Sequence, residues 1–288
     1  MLYVRYKLRE PKTTIVPQGP SFRWARTVSS NIDGTVISFK APKHQPRKSN
    51  HRQVLPEPGY HLEDMIFRST YEEPISVSDN WEAFEFFHNT WAFNGPWFTG
   101  TLAELRMTMK LIKPVNYSTQ FSLFHPRAFE KIVDDYLTNL FSKYIDRDKG
   151  GKCHYRGPVN WSPITTLPVV AVRLQIDPDE AVARDTIRHF VFFPIEDQVM
   201  ACIQFIPSQL RVGSQEELDK RVSRSTMYEL MDNIIDSIDL VLSPKAIDQQ
   251  KAALAGLEDA SLVKAHPPLQ WGATENDDVS TSKKLEQK

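Results

Sequence analysis

Short runs of alternating apolar and polar residues, two stretches with a three-four apolar rhythm, and prolines gathered between them predict an α+β fold. The expected architecture is one antiparallel or mixed sheet of about six to eight strands, with two main helices, about 126–146 and 224–242, packed on it. A hydrophobic content of 41%, an aromatic content of 11% and only 11 glycines in 288 residues describe a packed core, not a disordered or fibrous chain. The domain plan is an extended arm at 1–21, a single α+β domain at 22–243 and a flexible, mostly disordered tail at 244–288.

Prolines at 11, 17 and 20 with Gly19 keep the arm extended. Two strands follow at 22–29 and 35–40, and Asp33-Gly34 between them is the dipeptide that tight hairpins favour. Residues 41–60 hold four prolines and a glycine, which forbids a long element. A strand resumes near 64–70.

Residues 81–98 read WEAFEFFHNTWAFNGPWF, with eight aromatic rings. Trp81, Phe84, Phe87 and Trp91 are spaced nearly as on a helix, whereas Phe84 and Phe86 alternate about Glu85 as on a strand. The reading is an irregular strand or short helix closed at Asn94-Gly95-Pro96. Residues 101–113 are a strand with one wet face, because Leu105, Met107, Met109 and Leu111 alternate with Arg106, Thr108 and Lys110.

Helix 126–146 starts at Pro126, where a missing N–H is harmless, and carries a stripe from Phe129 to Ile145. Gly150-Gly151 stop it. Strands follow at 168–176, 186–193 and 198–206, the last two a hairpin about Pro194–Asp197. Helix 224–242 buries Met227, Leu230, Met231, Ile234, Ile235 and Ile238, and Pro244 ends it. Beyond 244, Ala252–Leu257 suits a short helix, and the composition turns polar after Pro267.

The net charge is −1, from 35 basic and 36 acidic residues. Such balance gives no general attraction to nucleic acid or to an anionic membrane, so neither is expected as a partner. The first residues lack the apolar core of a signal peptide, and no run of 18 apolar residues occurs; the expected compartment is cytoplasmic. Cys202 lies in an apolar run and reads as a buried free thiol rather than half of a disulfide.

Candidate chemistry is sparse. Lys152-Cys153-His154 could activate a thiol, but neighbours in sequence rarely face each other, and a loop cysteine is the simpler reading. His61, Glu63 and Asp64 are metal-ligand types without a metal-site spacing. Asp134 and Asp135 fit a solvated helix face, and Asp177, Asp179 and Glu180 fit a turn. The basic stretch Lys43–Arg52 lacks the aromatics of a nucleic-acid site. Neither phosphate-cradling glycine patterns nor a nucleophile elbow occurs. The chain therefore carries no assignable catalytic residue, metal site or cofactor motif, which leans against an enzyme.

The aromatic block is core or recognition surface. Interleaved Glu82, Glu85, His88, Asn89 and Asn94 give it the mixed character of an interface. The function expected first is non-enzymatic: an adaptor-type protein docking a protein partner or its own copy (a homo-oligomer) through Trp81, Trp91, Trp97 and Phe98. The alternative is a small-molecule-binding protein or enzyme with an aromatic-lined pocket, with His88 or His125 as its acid–base candidate.

Overall fold

The computed structural model describes residues 14–65, 68–69, 80–96, 99–115, 121–142, 144–146, 152–178, 186–210 and 213–271. The α+β class is what it adopts. In chain order come a 3-10 turn (Phe22–Trp24), β1 (Arg26–Ile32), β2 (Thr35–Ala41), β3 (Gly59–Tyr60), β4 (Arg68–Ser69), β5 (Trp81–Asn94) and β6 (Thr101–Pro114). Then follow α1 (Pro126–Ser142), β7 (Ile145–Asp146), β8 (Lys152–Cys153), β9 (Tyr155–Pro163), β10 (Val172–Pro178), β11 (Arg188–Glu196) and β12 (Val199–Gln209). The last elements are α2 (Gln215–Arg221), α3 (Ser225–Asp236), β13 (Asp239–Val241) and α4 (Pro244–Leu254).

The described strands form a sheet in the order β13-β2-β1-β3, a longer sheet in the order β4-β5-β6-β12-β11-β10-β9, and the small pair β7-β8. The chain divides into two compact units. One holds Met1–Asp64, Glu85–Lys110 and Ile203–Val241, and the other Met65–Phe84, Leu111–Cys202 and Leu242–Lys288.

In the first unit the β1–β2 hairpin turns on Asp33 and Gly34, both at positive φ (46° and 87°). That backbone suits the right-handed twist of the strands, and glycine adopts it without strain. Asn31 Oδ1 accepts the Gly34 N–H at 2.7 Å and fixes the turn. Ile37, Phe39 and Ala41 alternate onto the buried face of β2. The stripe Met227, Leu230, Met231, Ile234 and Ile235 of α3, which contacts β2, is buried as well. Each such side chain contributes about 1.5–3 kcal/mol. The predicted helix 224–242 is shorter than expected. The Ser237 hydroxyl donates to Ile234 O and accepts the Lys40 N–H, so the chain leaves the helix and joins β2 as β13.

Residues 81–94 of the aromatic block are one long strand, β5. Its period is hidden because Phe86 and Phe87 are both buried, as is every residue from Asn89 to Phe93. Among the described residues no single strand completes its outer edge. Ala83 and Glu82 pair with β4, His88 bridges Val54, Trp91 bridges Gln45, and Asn94 bridges Gln18. Backbone groups that would otherwise be orphaned are satisfied piecewise.

In the second unit α1 lays Phe129, Ile132, Val133, Tyr136, Leu137 and Phe141 into a core with Val172, Leu174, Ile176, Phe190 and Phe192. Trp81 meets Tyr136 edge-on at 5.2 Å, and Tyr136 meets Phe192 at 5.9 Å. The helix ends at Ser142, and Ile145–Asp146 already pair with Lys152–Cys153 as β7 and β8. Pro244, expected to stop a helix, opens one: Ser243 caps α4 by accepting the Ala246 N–H at 3.1 Å. Residues 255–271 then run as an extended strap, with Leu262 and Trp271 buried in the same core.

Candidate functional site

The two described tryptophans of the expected docking surface turn inward. Trp91 is 0% exposed and donates its indole N–H to Pro42 O at 3.1 Å; Trp81 is 3% exposed. They belong to different units. Trp97 and Phe98 lie outside the described residues. Of the acid–base candidates, His125 accepts the Arg127 N–H at the start of α1, and His88 sits in a polar network in the first unit.

That network links residues 42–54 to β5 and β6. His44 Nδ1 accepts the Thr90 N–H at 3.1 Å. His88 Nδ1 lies 3.1 Å from Thr108 Oγ1 and 3.8 Å from Glu85 Oε1. Arg52 meets Glu85 at 3.1 Å, and Glu104 accepts the Arg47 N–H at 3.0 Å with His51 at 3.7 Å. Burial first, then the charges of Arg106, Arg52, His44 and Lys110, lowers the His88 pKa to about 4. Burial also lowers that of His44. Because His44 Nδ1 accepts an N–H, its neutral ring carries the proton on Nε2, which leaves no lone pair for a metal there. Among the described residues no cluster of three or more His, Cys, Asp or Glu is placed to hold a metal ion. The network fastens residues 42–54 to β5.

A different cluster, in the second unit, has the makings of a binding site. Arg188 opens β11 among aromatic rings. Its guanidinium lies 4.8 Å from the Tyr155 ring and 5.4 Å from those of Tyr144 and Phe141. Nη2 donates to Tyr155 OH at 2.9 Å and reaches Tyr144 OH at 3.5 Å. Nε is buried without a hydrogen-bond partner. Burial opposes the charge, but the Tyr155 and Tyr144 hydroxyls outweigh it, and the Arg188 pKa is raised. No carboxylate among the described residues pairs with this cation. Ring faces attract a guanidinium by about 0.5–2 kcal/mol, yet they leave its charge uncancelled. Tyr144, Cys153, His154 and Arg188 are all half-buried, so the cluster is reachable from solvent. The Cys153 thiol, which is not part of a disulfide, donates to Phe141 O at 3.4 Å.

The strap lies along one stripe of α1 that ends at this cluster. Val263 N–H donates to Glu130 Oε1 at 2.6 Å, and His266 Nε2 meets Asp134 Oδ2 at 3.0 Å. The Trp271 indole donates to Thr138 Oγ1 at 3.2 Å, and its ring stacks on Phe141 at 5.1 Å and 21°. From β9, Trp161 donates to Val263 O at 2.9 Å and packs on the His266 ring at 4.8 Å, while Leu269 N–H bonds Gly157 O. Asp134 thus leaves the solvated role expected of it, while Asp135 keeps that role, paired with Lys131 at 2.9 Å. Burial raises the Asp134 carboxyl above its usual range, and His266 offsets part of that.

The remaining candidates are scattered. His61 bonds Asp33 at 2.9 Å on the hairpin turn, and Asp177 faces Arg156 at 3.8 Å. Asp179 and Glu180 lie outside the described residues. Sequence reasoning missed Arg188, Tyr144 and Tyr155. The available signal was a lone arginine at the head of the apolar run HFVFF. No protein-family model, curated protein or solved structure matches the chain.

Proposed function

We propose that this protein binds a small anionic molecule, bearing a carboxylate or a phosphate, at the ring-lined guanidinium of Arg188. The observation that carries the reading is a half-buried cation with tyrosine hydroxyls and ring faces around it, a buried Nε without a hydrogen-bond partner, and no described carboxylate. Binding sites are mostly apolar with a few placed polar groups, and a guanidinium forks onto carboxylate or phosphate. This favours the small-molecule alternative over partner docking through Trp81 and Trp91, both of which are buried.

The test is calorimetric titration of sodium benzoate and of inorganic phosphate into the full chain. Saturable binding of one of them is expected, weakened about tenfold or more by Arg188→Met, in line with the roughly 1.5–3 kcal/mol of a charged hydrogen bond. Tyr155→Phe, a milder change, should weaken it less. Binding that ignores both substitutions, or no binding of either anion, would contradict the assignment.

A second reading rests on Trp24, which is 75% exposed on the turn leading into β1. Thr27 and Ser29 face the edge of β1 that no described strand covers beyond the reach of β3. An extended segment of a second copy would pair there, with Trp24 as its anchor. Apparent mass that rises with concentration, and stays monomeric in Trp24→Ala, would support it; a monomer at all concentrations would not.

A further inference from the structure

We propose that residues 255–271 act as a strap that controls the Arg188 site by holding the Phe141 wall in place. The inference rests on the anion-binding reading and deepens it by naming its regulation. Four residues of α1, Glu130, Asp134, Thr138 and Phe141, each receive one strap contact: a backbone N–H, an imidazole, an indole N–H and an indole face. Their spacing of four, four and three places them on one stripe of the helix. The last of them, Phe141, is shared. Its ring stacks on Trp271 and lies 5.4 Å from the Arg188 guanidinium. Phe141 also contacts Tyr155 at 5.0 Å and Tyr144 at 6.2 Å, the other two rings about the cation.

The strap contains no helix or extended strand of its own. Its hold is the series of contacts to α1 and β9 together with the burial of Leu262 and Trp271, and it can open as a local unit while the strand ladders stay paired. Docked, it fixes Phe141 and with it the ring geometry around Arg188, so a ligand meets a site already arranged. Undocked, it leaves the Phe141 ring without its stacking partner. A partner or a modification that lifts residues 255–271 would lower affinity at Arg188 without touching that residue. By linkage, a ligand at Arg188 must tighten the strap by the same factor.

Hydrogen exchange of the full chain, with and without the tighter-binding of benzoate and inorganic phosphate, tests this alongside anion titrations of Arg188→Met, Trp271→Ala and Thr138→Val. Thr138→Val keeps the shape of its site and removes only the indole's acceptor, so it covers the case in which Trp271→Ala fails to fold. The expected result is slowed exchange across 255–271 on adding the anion, and affinity roughly three- to tenfold lower in the strap variants. If Arg188→Met abolishes binding while strap variants and strap exchange are unchanged, the strap inference is overturned and the site stands. If Arg188→Met binds like wild type, the site reading itself has failed, and the inference falls with it.

Discussion

Asp134 on α1 and His266 on the strap meet at 3.0 Å, and the histidine ring lies against Trp161. The pair is asymmetric. Burial already penalises the Asp134 charge, and Asp134 Oδ1 has no hydrogen-bond partner. Removing His266 therefore strands a buried carboxylate, whereas neutralising Asp134 removes the burden. His266→Ala is expected to destabilise by about 2 kcal/mol and Asp134→Asn by under about 1 kcal/mol, with the double variant no worse than His266→Ala. Denaturant melts at one fixed pH check the cycle; additive losses would mean the two do not interact.

Trp91 ties residues 42–54 to β5 through one indole bond and one backbone bridge. Trp91→Phe keeps most of the ring's area and loses the bond to Pro42, for an expected cost of about 1–2 kcal/mol. Trp91→Ala also opens a cavity, at about 3–5 kcal/mol. Thermal melts rank the two variants. Equal losses would place the bond, not the packing, in control.

His88 gives a pH dependence with a definite sign. Its folded pKa of about 4 lies below the ordinary 6.5, so the folded state favours the neutral ring. The stability this contributes is fully present above about pH 6.5 and is lost as pH falls from there through about 4. His44, lowered for the same chief reason, adds in the same direction. His88→Gln should flatten the decline between pH 6.5 and 4 in urea melts; an unchanged slope would remove His88 as its source.

What the sequence disclosed follows from how each element is buried. The helix at Pro126 was legible because one face is wet and the period survives; β6 was placed by its alternation, but the wet face expected of it is mostly buried, Thr108 and Glu104 included, and only Arg106 and Lys113 stand exposed. β5 was ambiguous because burial of both neighbours at Phe86-Phe87 and throughout 89–93 erases the period. The limit of helix 224–242 was missed because a serine hydroxyl, not a proline, ends α3. The strap was missed because its polar composition resembles a tail, while two indoles, Trp161 and Trp271, supply the bonds that hold it. The candidate site assembles Phe141, Tyr144, Tyr155 and Arg188 from α1, the residues after it, β9 and β11. No local motif records such a convergence, and the densest aromatic stretch drew attention instead.

Arg188→Lys separates charge from shape. Lysine keeps the charge but loses the planar fork and the extended ring contact. Anion affinity should fall several-fold, less than in Arg188→Met. Calorimetry of the three chains side by side checks the order; a lysine variant that binds as tightly as wild type would reduce the site to a simple point charge.

The most direct measurement of the central claim is the side-chain nitrogen–proton correlation of Arg188 followed by NMR, assigned by its loss in Arg188→Lys. On titrating whichever of benzoate and inorganic phosphate binds, the Nε–H signal should move saturably, with the midpoint found by calorimetry. An Arg188 signal that stays fixed while calorimetry records saturable binding would place the anion elsewhere and contradict the account.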